Sequence, residues 1–307
     1  MPNRSNTAPL PRRRTRANPL RALRLPTIAL FPLALLLGVF GCGPKKATAP
    51  RWVVYYGQNA APEELTGYDV VVVDPNYKGE IAPLRKAGAK VLAYISLGEL
   101  NASRATFARA QREGLLLEEN PNWPGAWLVD VRLPGWRKLV VEERAKELLA
   151  RGYDGLFLDT LESALHLQTR DATRYAGMQQ AAIDLVRALH DRHPGAILLL
   201  NGALEVAGAL AGAVDRVAVE SSLTTWDFAK KAARWRTADE RAWAMARAAK
   251  ARAANPKLTI YTLDYWDPED RAGLLRIYRE QRKAGFVPYA ATIALDRVVA
   301  EPPAETP

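Results

Sequence analysis

Two acidic residues end apolar segments of this sequence. The segment GLFLDT, residues 155–160, carries Asp159, and the segment RVAVESS, residues 216–222, carries Glu220. An unpaired carboxylate is costly to bury, so an acid at the end of a buried strand indicates a partner or a cleft that uses the charge. Two carboxylates without His or Cys suit glycoside hydrolysis, in which one acid protonates the leaving oxygen and the other attacks or activates water. The alternative is that these acids cap helices or pair with Arg at the rim.

Polar residues close most of the other apolar segments. Five of the eight segments end in or next to a carboxylate, and none ends in His or Cys. This pattern disfavours a Cys nucleophile, a His-based triad and a metal site of His and Cys ligands. A magnesium site made only of carboxylates stays open, but we expect no metal and no cofactor. The predicted substrate-binding residues are Tyr56, Asp74, Glu99, Asn201, Trp226, Asp264 and Tyr265.

Eight apolar segments alternate with amphipathic stretches rich in Ala, Leu and Arg. Most segments are apolar on both faces, as parallel strands covered by helices must be. Eight strand–helix units over this length predict a (β/α)8 barrel of the α/β class, whose active site lies at the carboxyl ends of the strands. A doubly wound open sheet is the alternative, but the first turn lacks its glycines. The segments are 52–57, 68–75, 90–99, 155–160, 196–202, 216–222, 257–265 and 285–293.

The spacing between strands 3 and 4 predicts an insertion. Sixty positions separate Glu99 from Asp159, about twice the usual unit. The extra stretch contains NPNWPGAWLVDVRLPGW, residues 120–136, with a further small strand predicted at AWLVDV. We expect Trp136 to be structural, and we expect Trp266, like Trp226, to stack on a sugar ring.

The first 42 residues have the character of an export signal. They contain seven Arg and no acid, followed by an apolar run at 28–40 that is short for a membrane span. The sequence VFGC at 39–42 resembles a bacterial lipoprotein signal, with Cys42 as the lipidated residue. A plain signal peptide or an anchor helix are the alternatives. We therefore expect a protein that is exported and lipid-anchored at the bacterial cell envelope, or secreted.

The domain organisation follows from these observations. We predict a signal peptide at 1–42, a linker at 43–50, a barrel at 51–296 and a disordered tail at 297–307. Without the seven Arg of the signal, 36 basic and 33 acidic residues remain, a net charge near +3. This balance gives no indication of nucleic-acid binding. We expect a monomer whose partners are a polysaccharide and, through the lipid anchor, a membrane.

An ordered set of motifs resembles a known family. The motifs YYG, YDVVVVDP, LAYISLGE, NWPGAWLVDVRLPGW, GYDGLFLDT, VAVESS and LDYWDPED are similar to those of glycoside hydrolase family 114, the endo-α-1,4-polygalactosaminidases, and to the hydrolase domains of bacterial Pel polysaccharide enzymes. The resemblance covers about residues 52–295. It implies a (β/α)8 barrel that cleaves α-1,4-linked galactosamine chains, with Asp159 and Glu220 as the catalytic acids. We assign the nucleophilic or charge-stabilising role to Asp159 and the acid role to Glu220.

The acids predicted around the catalytic pair favour a cationic substrate. Asp74, Glu99 and Asp264 would give the barrel mouth a negative potential, which is complementary to an amino-sugar polymer. Two alternatives stay open: a glycosidase for another α-linked amino sugar or hexose polymer, and a catalytically inactive lipoprotein that binds glycan.

Overall fold

Eight parallel strands form one sheet in chain order in the computed structural model, which describes residues 49–303. The outer strands adjoin, and just beyond them the backbone N–H of Tyr56 donates to the carbonyl of Leu295 at 2.6 Å. This nearly closed barrel confirms the predicted fold, with every strand shorter than its apolar segment. The strands are β1 (Trp52–Tyr55), β2 (Val70–Val73), β3 (Lys90–Ser96), β4 (Gly155–Asp159), β5 (Ile197–Asn201), β6 (Arg216–Glu220), β7 (Thr259–Tyr265) and β8 (Val287–Ala291).

Aromatic side chains fill one end of the barrel interior. The indole of Trp52 in β1 contacts Phe157 of β4, Tyr261 of β7 and Tyr289 of β8, with ring centroids 6.4, 5.2 and 6.4 Å away. The contact with Phe157 crosses the barrel from β1 to β4. The interior is therefore a packed core, and space for a ligand is left only at the carboxyl ends of the strands.

Helices cover the outside of the sheet. The helix Met178–Arg192 buries seven of its residues against it, as expected for an amphipathic element. Within residues 49–303, no helix has both the length and the apolar character needed to cross a membrane. The helices are Ala82–Lys86, Phe107–Arg112, Pro134–Arg137, the π-helical Lys138–Ala145, Lys146–Ala150, Leu161–Arg170, Met178–Arg192, Ala238–Ala254 and Arg271–Lys283, with 3₁₀ turns at Pro62–Leu65 and Leu204–Val206.

The insertion after β3 is present and forms a small sheet of its own. Its antiparallel strands are Glu99–Asn101, Ala126–Val129 and Leu116–Glu119, with Ala126–Val129 in the centre. The central strand coincides with the one predicted at AWLVDV. Trp136 is buried, and its indole N–H donates to the carbonyl of Leu97 at 2.8 Å, which confirms its structural role.

The described part of the predicted tail is ordered, which corrects the prediction of disorder from residue 297. Val299 is buried, and its N–H donates to the hydroxyl of Tyr289 at 3.1 Å. Glu301 forms an ion pair with Arg282. The Arg side chains of the helix Arg271–Lys283 thus bind a segment whose composition alone indicated disorder. The predicted signal with Cys42, the linker up to residue 48, and residues 304–307 lie outside the described residues.

Candidate active site

The chain turns sharply after three of the strands that surround the barrel mouth. Thr160 follows Asp159 with φ 62°, Gly202 follows Asn201 with φ 66°, and Ser221 follows Glu220 with φ 56°. Thr160 and Ser221 have side chains, for which this left-handed conformation is unfavourable and therefore local backbone strain. Such strain is typical of functional sites, and here it follows directly after the two predicted catalytic acids.

One side-chain amide joins the two acids. The Nδ2 atom of Asn201 donates to Asp159 Oδ1 at 2.7 Å and to Glu220 Oε1 at 2.6 Å. The two accepting oxygens therefore lie no more than about 5.3 Å apart, the sum of these two distances. In retaining glycosidases the two carboxyl groups are about 5–5.5 Å apart, and in inverting enzymes they are about 6.5–9.5 Å apart. This upper limit for one pair of oxygens lies below the range of the inverting enzymes, which favours the retaining class.

Three tyrosines surround this pair. Tyr265 donates its hydroxyl to Glu220 Oε2 at 2.6 Å. Tyr56 and Tyr94 pack edge to face, with ring centroids 5.1 Å apart, and both line the cleft that contains the acids. The structure thus brings together Asp159 and Glu220 with three of the predicted binding residues: Tyr56, Asn201 and Tyr265.

The protein environment raises the pKa of both acids. Burial is the main cause for Asp159, and hydrogen bonds from Asn201 and Tyr94 act in the opposite direction. For Glu220, burial and then the negative charge of Asp159 raise the pKa, while bonds from Tyr265 and Asn201 lower it. Both residues are nevertheless accessible to solvent, because they line an open cleft that is surrounded by densely packed protein. Because the two carboxylates repel each other, the pair retains one proton more readily than two separate acids would.

Two predicted binding acids line the cleft but are bound by other side chains. The carboxylate of Asp74 forms a salt bridge with Arg104 at 2.6 Å. Glu99 is buried and accepts hydrogen bonds from Asn120 at 2.9 Å and from Ser163 at 2.6 Å. Arg104 therefore compensates the charge of Asp74, whereas two neutral donors occupy Oε1 of Glu99. Glu99 connects the insertion to the helix that follows β4.

Asp264 does not line the cleft, which corrects its predicted role in substrate binding. It is fully buried, and its Oδ1 accepts hydrogen bonds from the backbone N–H groups of Leu223 and Thr224 at 2.8 and 2.9 Å. Its Oδ2 accepts a bond from the amide of Gln281. Asp264 therefore holds the segment after Glu220 in place, and its role is to position that loop.

Trp226 and Trp266 lie beside the cleft. Trp226 belongs to a hairpin that the sequence did not predict, formed by Thr224–Asp227 and Ala232–Trp235. Both tryptophans line a second hollow, which adjoins the cleft at Ile293. The structure therefore separates Trp226 from the acid pair and places it at the neighbouring surface.

Glu162 is a cleft residue that the sequence analysis did not select. It lies in the first turn of the helix after β4, and its side chain lines the cleft. Desolvation by the surrounding protein, together with the charges of Asp159, Glu220 and Glu205, raises the pKa of Glu162 to about 8, although the residue is exposed in the open cleft. Its place three residues after Asp159 was the signal in the sequence that could have indicated this role.

Within residues 49–303, no three His, Cys, Asp or Glu side chains are arranged to hold a metal ion.

Two exposed aromatic residues meet above the barrel mouth. Trp123 comes from the insertion after β3, and Phe228 comes from the hairpin after β6. They are 49% and 55% exposed, and their ring centroids are 5.6 Å apart. The contact joins two loops that rise from strand ends on either side of β4 and β5, where Asp159 and Asn201 lie.

Comparisons with known proteins agree with this fold. The glycoside hydrolase domain of PelA from Pseudomonas aeruginosa is 30% identical, with a TM-score of 0.74 over 82% of this chain and 98% of that domain. Ega3 from Aspergillus fumigatus, solved in complex with galactosamine, shares the fold at 15% identity and a TM-score of 0.58, over 80% and 92% of the two chains. An uncharacterised protein of Deinococcus radiodurans is 25% identical over 85% of this chain and 86% of its own length.

The family assignment rests on a match over most of the chain. The profile of glycoside-hydrolase family GH114 matches residues 42–305, which contain the whole barrel, its insertion and both acids. The resemblance expected from the sequence motifs is thereby confirmed. The chain belongs to glycoside-hydrolase family GH114 and is a glycoside hydrolase.

Proposed function

We propose that this protein is an endo-glycosidase that hydrolyses a galactosamine-rich, α-1,4-linked polysaccharide with retention of configuration. The observation that carries the reaction type is the amide of Asn201, which holds one oxygen of Asp159 and one of Glu220 no more than about 5.3 Å apart, below the range of inverting enzymes. The cleft has a volume of about 870 Å³, in the upper part of the usual range for ligand sites. This size favours a substrate longer than one sugar.

The two acids have different roles in the proposed reaction. Asp159 attacks the anomeric carbon while Glu220 gives its proton to the glycosidic oxygen, so that one sugar chain leaves and the other is bound to Asp159. Glu220, now ionised, then takes a proton from water, and the water oxygen displaces Asp159 from the anomeric carbon. Because the two carboxylates repel each other, the pair holds one proton more readily than two separate acids would, and we assign that proton to Glu220.

The substrate class rests on similarity to characterised structures. The glycoside hydrolase domain of PelA is 30% identical to this chain, and Ega3 was solved in complex with galactosamine. The carboxyl groups of Asp159, Glu162 and Glu220 also line the cleft of this chain, which suits a cationic amino sugar. A neutral hexose polymer is the second candidate. The hydroxyl-rich lining around Tyr56 and Tyr94 would accept it as well.

The cellular location is also part of the proposal. The Arg-rich start, the apolar run at 28–40 and the VFGC sequence support export followed by lipid attachment at Cys42. An exported enzyme would meet its polysaccharide outside the cytoplasm.

The test uses the protein without residues 1–42 and purified α-1,4-galactosaminan. We expect new reducing ends and a mixture of oligosaccharides, as internal cleavage produces. Proton NMR at the first minutes of reaction should show products with the α configuration, since retention keeps the substrate's anomer. Cleavage of a neutral hexose polymer but not of galactosaminan would support the second candidate. Initial β products would contradict the double displacement.

A further inference from the structure

The three acids predicted to recognise a cationic substrate are either bound by other protein groups or lie outside the cleft. Arg104 pairs with Asp74, two neutral side chains bind Glu99, and Asp264 is buried outside the cleft. A carboxylate that is bound in this way can give little to a ligand. The recognition of a cation must therefore come from another group at the reaction centre.

Glu162 has the position that such a group requires. It reaches the cleft from the first turn of the helix after β4, beside Asp159. Its carboxylate lies over Gly202: a Cβ atom at that glycine would be 2.6 and 2.7 Å from the two oxygens. The missing side chain at Gly202 makes room for this carboxylate next to Asn201, which joins the catalytic pair.

Asn201 gives an independent indication of a ligand. Its side chain is 3% exposed, and its Oδ1 has no hydrogen-bond partner in the described part of the chain. A buried acceptor without a donor is costly. Because Asn201 lines the cleft, the missing donor indicates that a bound ligand completes the hydrogen bonding of its side chain.

We propose that Glu162 is the specificity residue that selects an amino sugar over its acetylated or neutral counterpart, by accepting hydrogen bonds from the substrate's ammonium group. This inference rests on the proposed function. The reaction itself is assigned to Asp159 and Glu220, whereas Glu162 decides which sugar they receive.

The charges that face Glu162 support this role. Asp159 from β4, Glu220 from β6 and Glu205 from the turn after β5 are negative, and together with desolvation by the surrounding protein they raise the pKa of Glu162 to about 8. Arg247 from the helix Ala238–Ala254 also lines the cleft, but it is paired with Glu205 at 2.5 Å. A potential that disfavours the ionised carboxylate favours a bound cation. At pH 7 an ammonium sugar should therefore bind with release of the proton held by Glu162.

The kinetic test compares two oligosaccharides of equal length and linkage, one of galactosamine and one of N-acetylgalactosamine. For Glu162→Gln, we expect kcat/KM on the galactosamine oligomer to fall about 10- to 100-fold, the range for a hydrogen bond to a charged group. On the acetylated oligomer the change should be much smaller. Glu80→Gln removes an exposed charge outside the cleft and should keep the wild-type preference. An unchanged preference in Glu162→Gln would overturn the proposal.

A binding measurement separates this inference from the proposed function. Calorimetry with free galactosamine at pH 7, in two buffers of different ionisation enthalpy, should show proton release for the wild type and a smaller release for Glu162→Gln. Galactose should bind with no such difference between the two proteins. If the wild type binds galactosamine in this way but cleaves no galactosaminan, the proposed function fails and the role of Glu162 stands. If both proteins bind galactosamine with equal affinity and equal proton release, Glu162 is not the specificity residue.

Discussion

Tyr265 donates its hydroxyl to Glu220 Oε2 at 2.6 Å, while the other oxygen of Glu220 accepts a bond from Asn201. Both donors favour the ionised carboxylate, and burial and the charge of Asp159 favour the protonated form. Because these effects oppose each other, the pKa of Glu220 depends on a small number of contacts. Removing one of the two donors should therefore raise the pKa of Glu220.

The first prediction concerns Tyr265→Phe. Without the phenol, the pKa of Glu220 should rise, so the basic limb of the pH profile of kcat/KM should move to higher pH. The maximal rate should fall about tenfold or more, as expected for the loss of a hydrogen bond to a charged group. Tyr77→Phe removes a hydroxyl that donates to the carbonyl of Ala60, outside the cleft, and serves as the control. A Tyr265→Phe profile that coincides with the wild-type profile would contradict this view of Glu220.

The two proposed catalytic acids should respond differently to the leaving group. Asp159→Asn and Glu220→Gln should each lower turnover of the polysaccharide by about 10²–10⁴-fold, while circular dichroism shows a folded protein. An oligosaccharide with a nitrophenyl leaving group needs little proton donation. On this substrate the first step, seen as a burst of nitrophenol, should recover in Glu220→Gln but not in Asp159→Asn. The reverse pattern would exchange the two roles, and a folded Asp159→Asn with near wild-type turnover would remove Asp159 from the reaction.

Asp264 should affect stability before chemistry. In Asp264→Asn, an amide N–H group faces the amide of Gln281, so two donors meet where a bond existed. We expect a loss of about 2–3 kcal/mol in the free energy of unfolding, measured with urea. Adding Gln281→Glu supplies an acceptor and should restore much of the loss. If the double variant is less stable than Asp264→Asn, the contact with Gln281 does not explain the role of Asp264.

Glu162 should make stability depend on pH. The unfolded chain loses this proton near pH 4.5, whereas the folded protein keeps it until about pH 8. Between these values the folded state binds more protons, so the wild-type free energy of unfolding falls as pH rises. Glu162→Gln lacks this penalty. Solvent in the cleft screens part of this loss of stability. We therefore expect the Tm of Glu162→Gln, relative to the wild type, to be about 2–4 °C higher at pH 8.5 than at pH 4. A Tm difference that is the same at both pH values would contradict the shifted pKa.

The lipid anchor is tested by Cys42→Ser in the full chain. If the VFGC sequence directs acylation, the variant should leave the membrane fraction or accumulate as the unprocessed precursor. Phe40→Ala, which places a smaller residue in the same motif, should be processed and anchored like the wild type. Membrane fractionation and the mass of the mature protein measure both results. A Cys42→Ser protein that is processed and membrane-bound as before would exclude lipidation at this residue.

The sequence by itself determined the barrel. Parallel strands covered on both faces must be apolar throughout, and Val70–Val73 shows this directly, with four valines that are all buried. The strand ends could also be found, because the apolar runs stop there. Since the carboxyl ends of parallel strands share one rim, Asp159, Asn201 and Glu220 could be placed together before any contact was known.

Only the tertiary structure decided which of the similar acids are free. LFLDT around Asp159 and YTLDY around Asp264 are alike in sequence, yet one carboxylate faces the cleft and the other is fully buried. Successive side chains of a strand point to opposite faces, so Asp264 and Tyr265 cannot both face the barrel mouth. Tyr265 reaches Glu220, and Asp264 therefore points to the covering helix, where Gln281 binds it.

Glu162 shows the limit of an argument from strand ends. It belongs to a helix, and it becomes part of the cleft because Gly202, forty residues later in the chain, has no side chain in its way. The hairpin with Trp226 and the ordered segment around Glu301 likewise depend on distant partners, Asp264 and Arg282. Periodicity records which face of an element is buried. The pairing of charges depends on side chains that are distant in sequence, and only the folded chain brings them together.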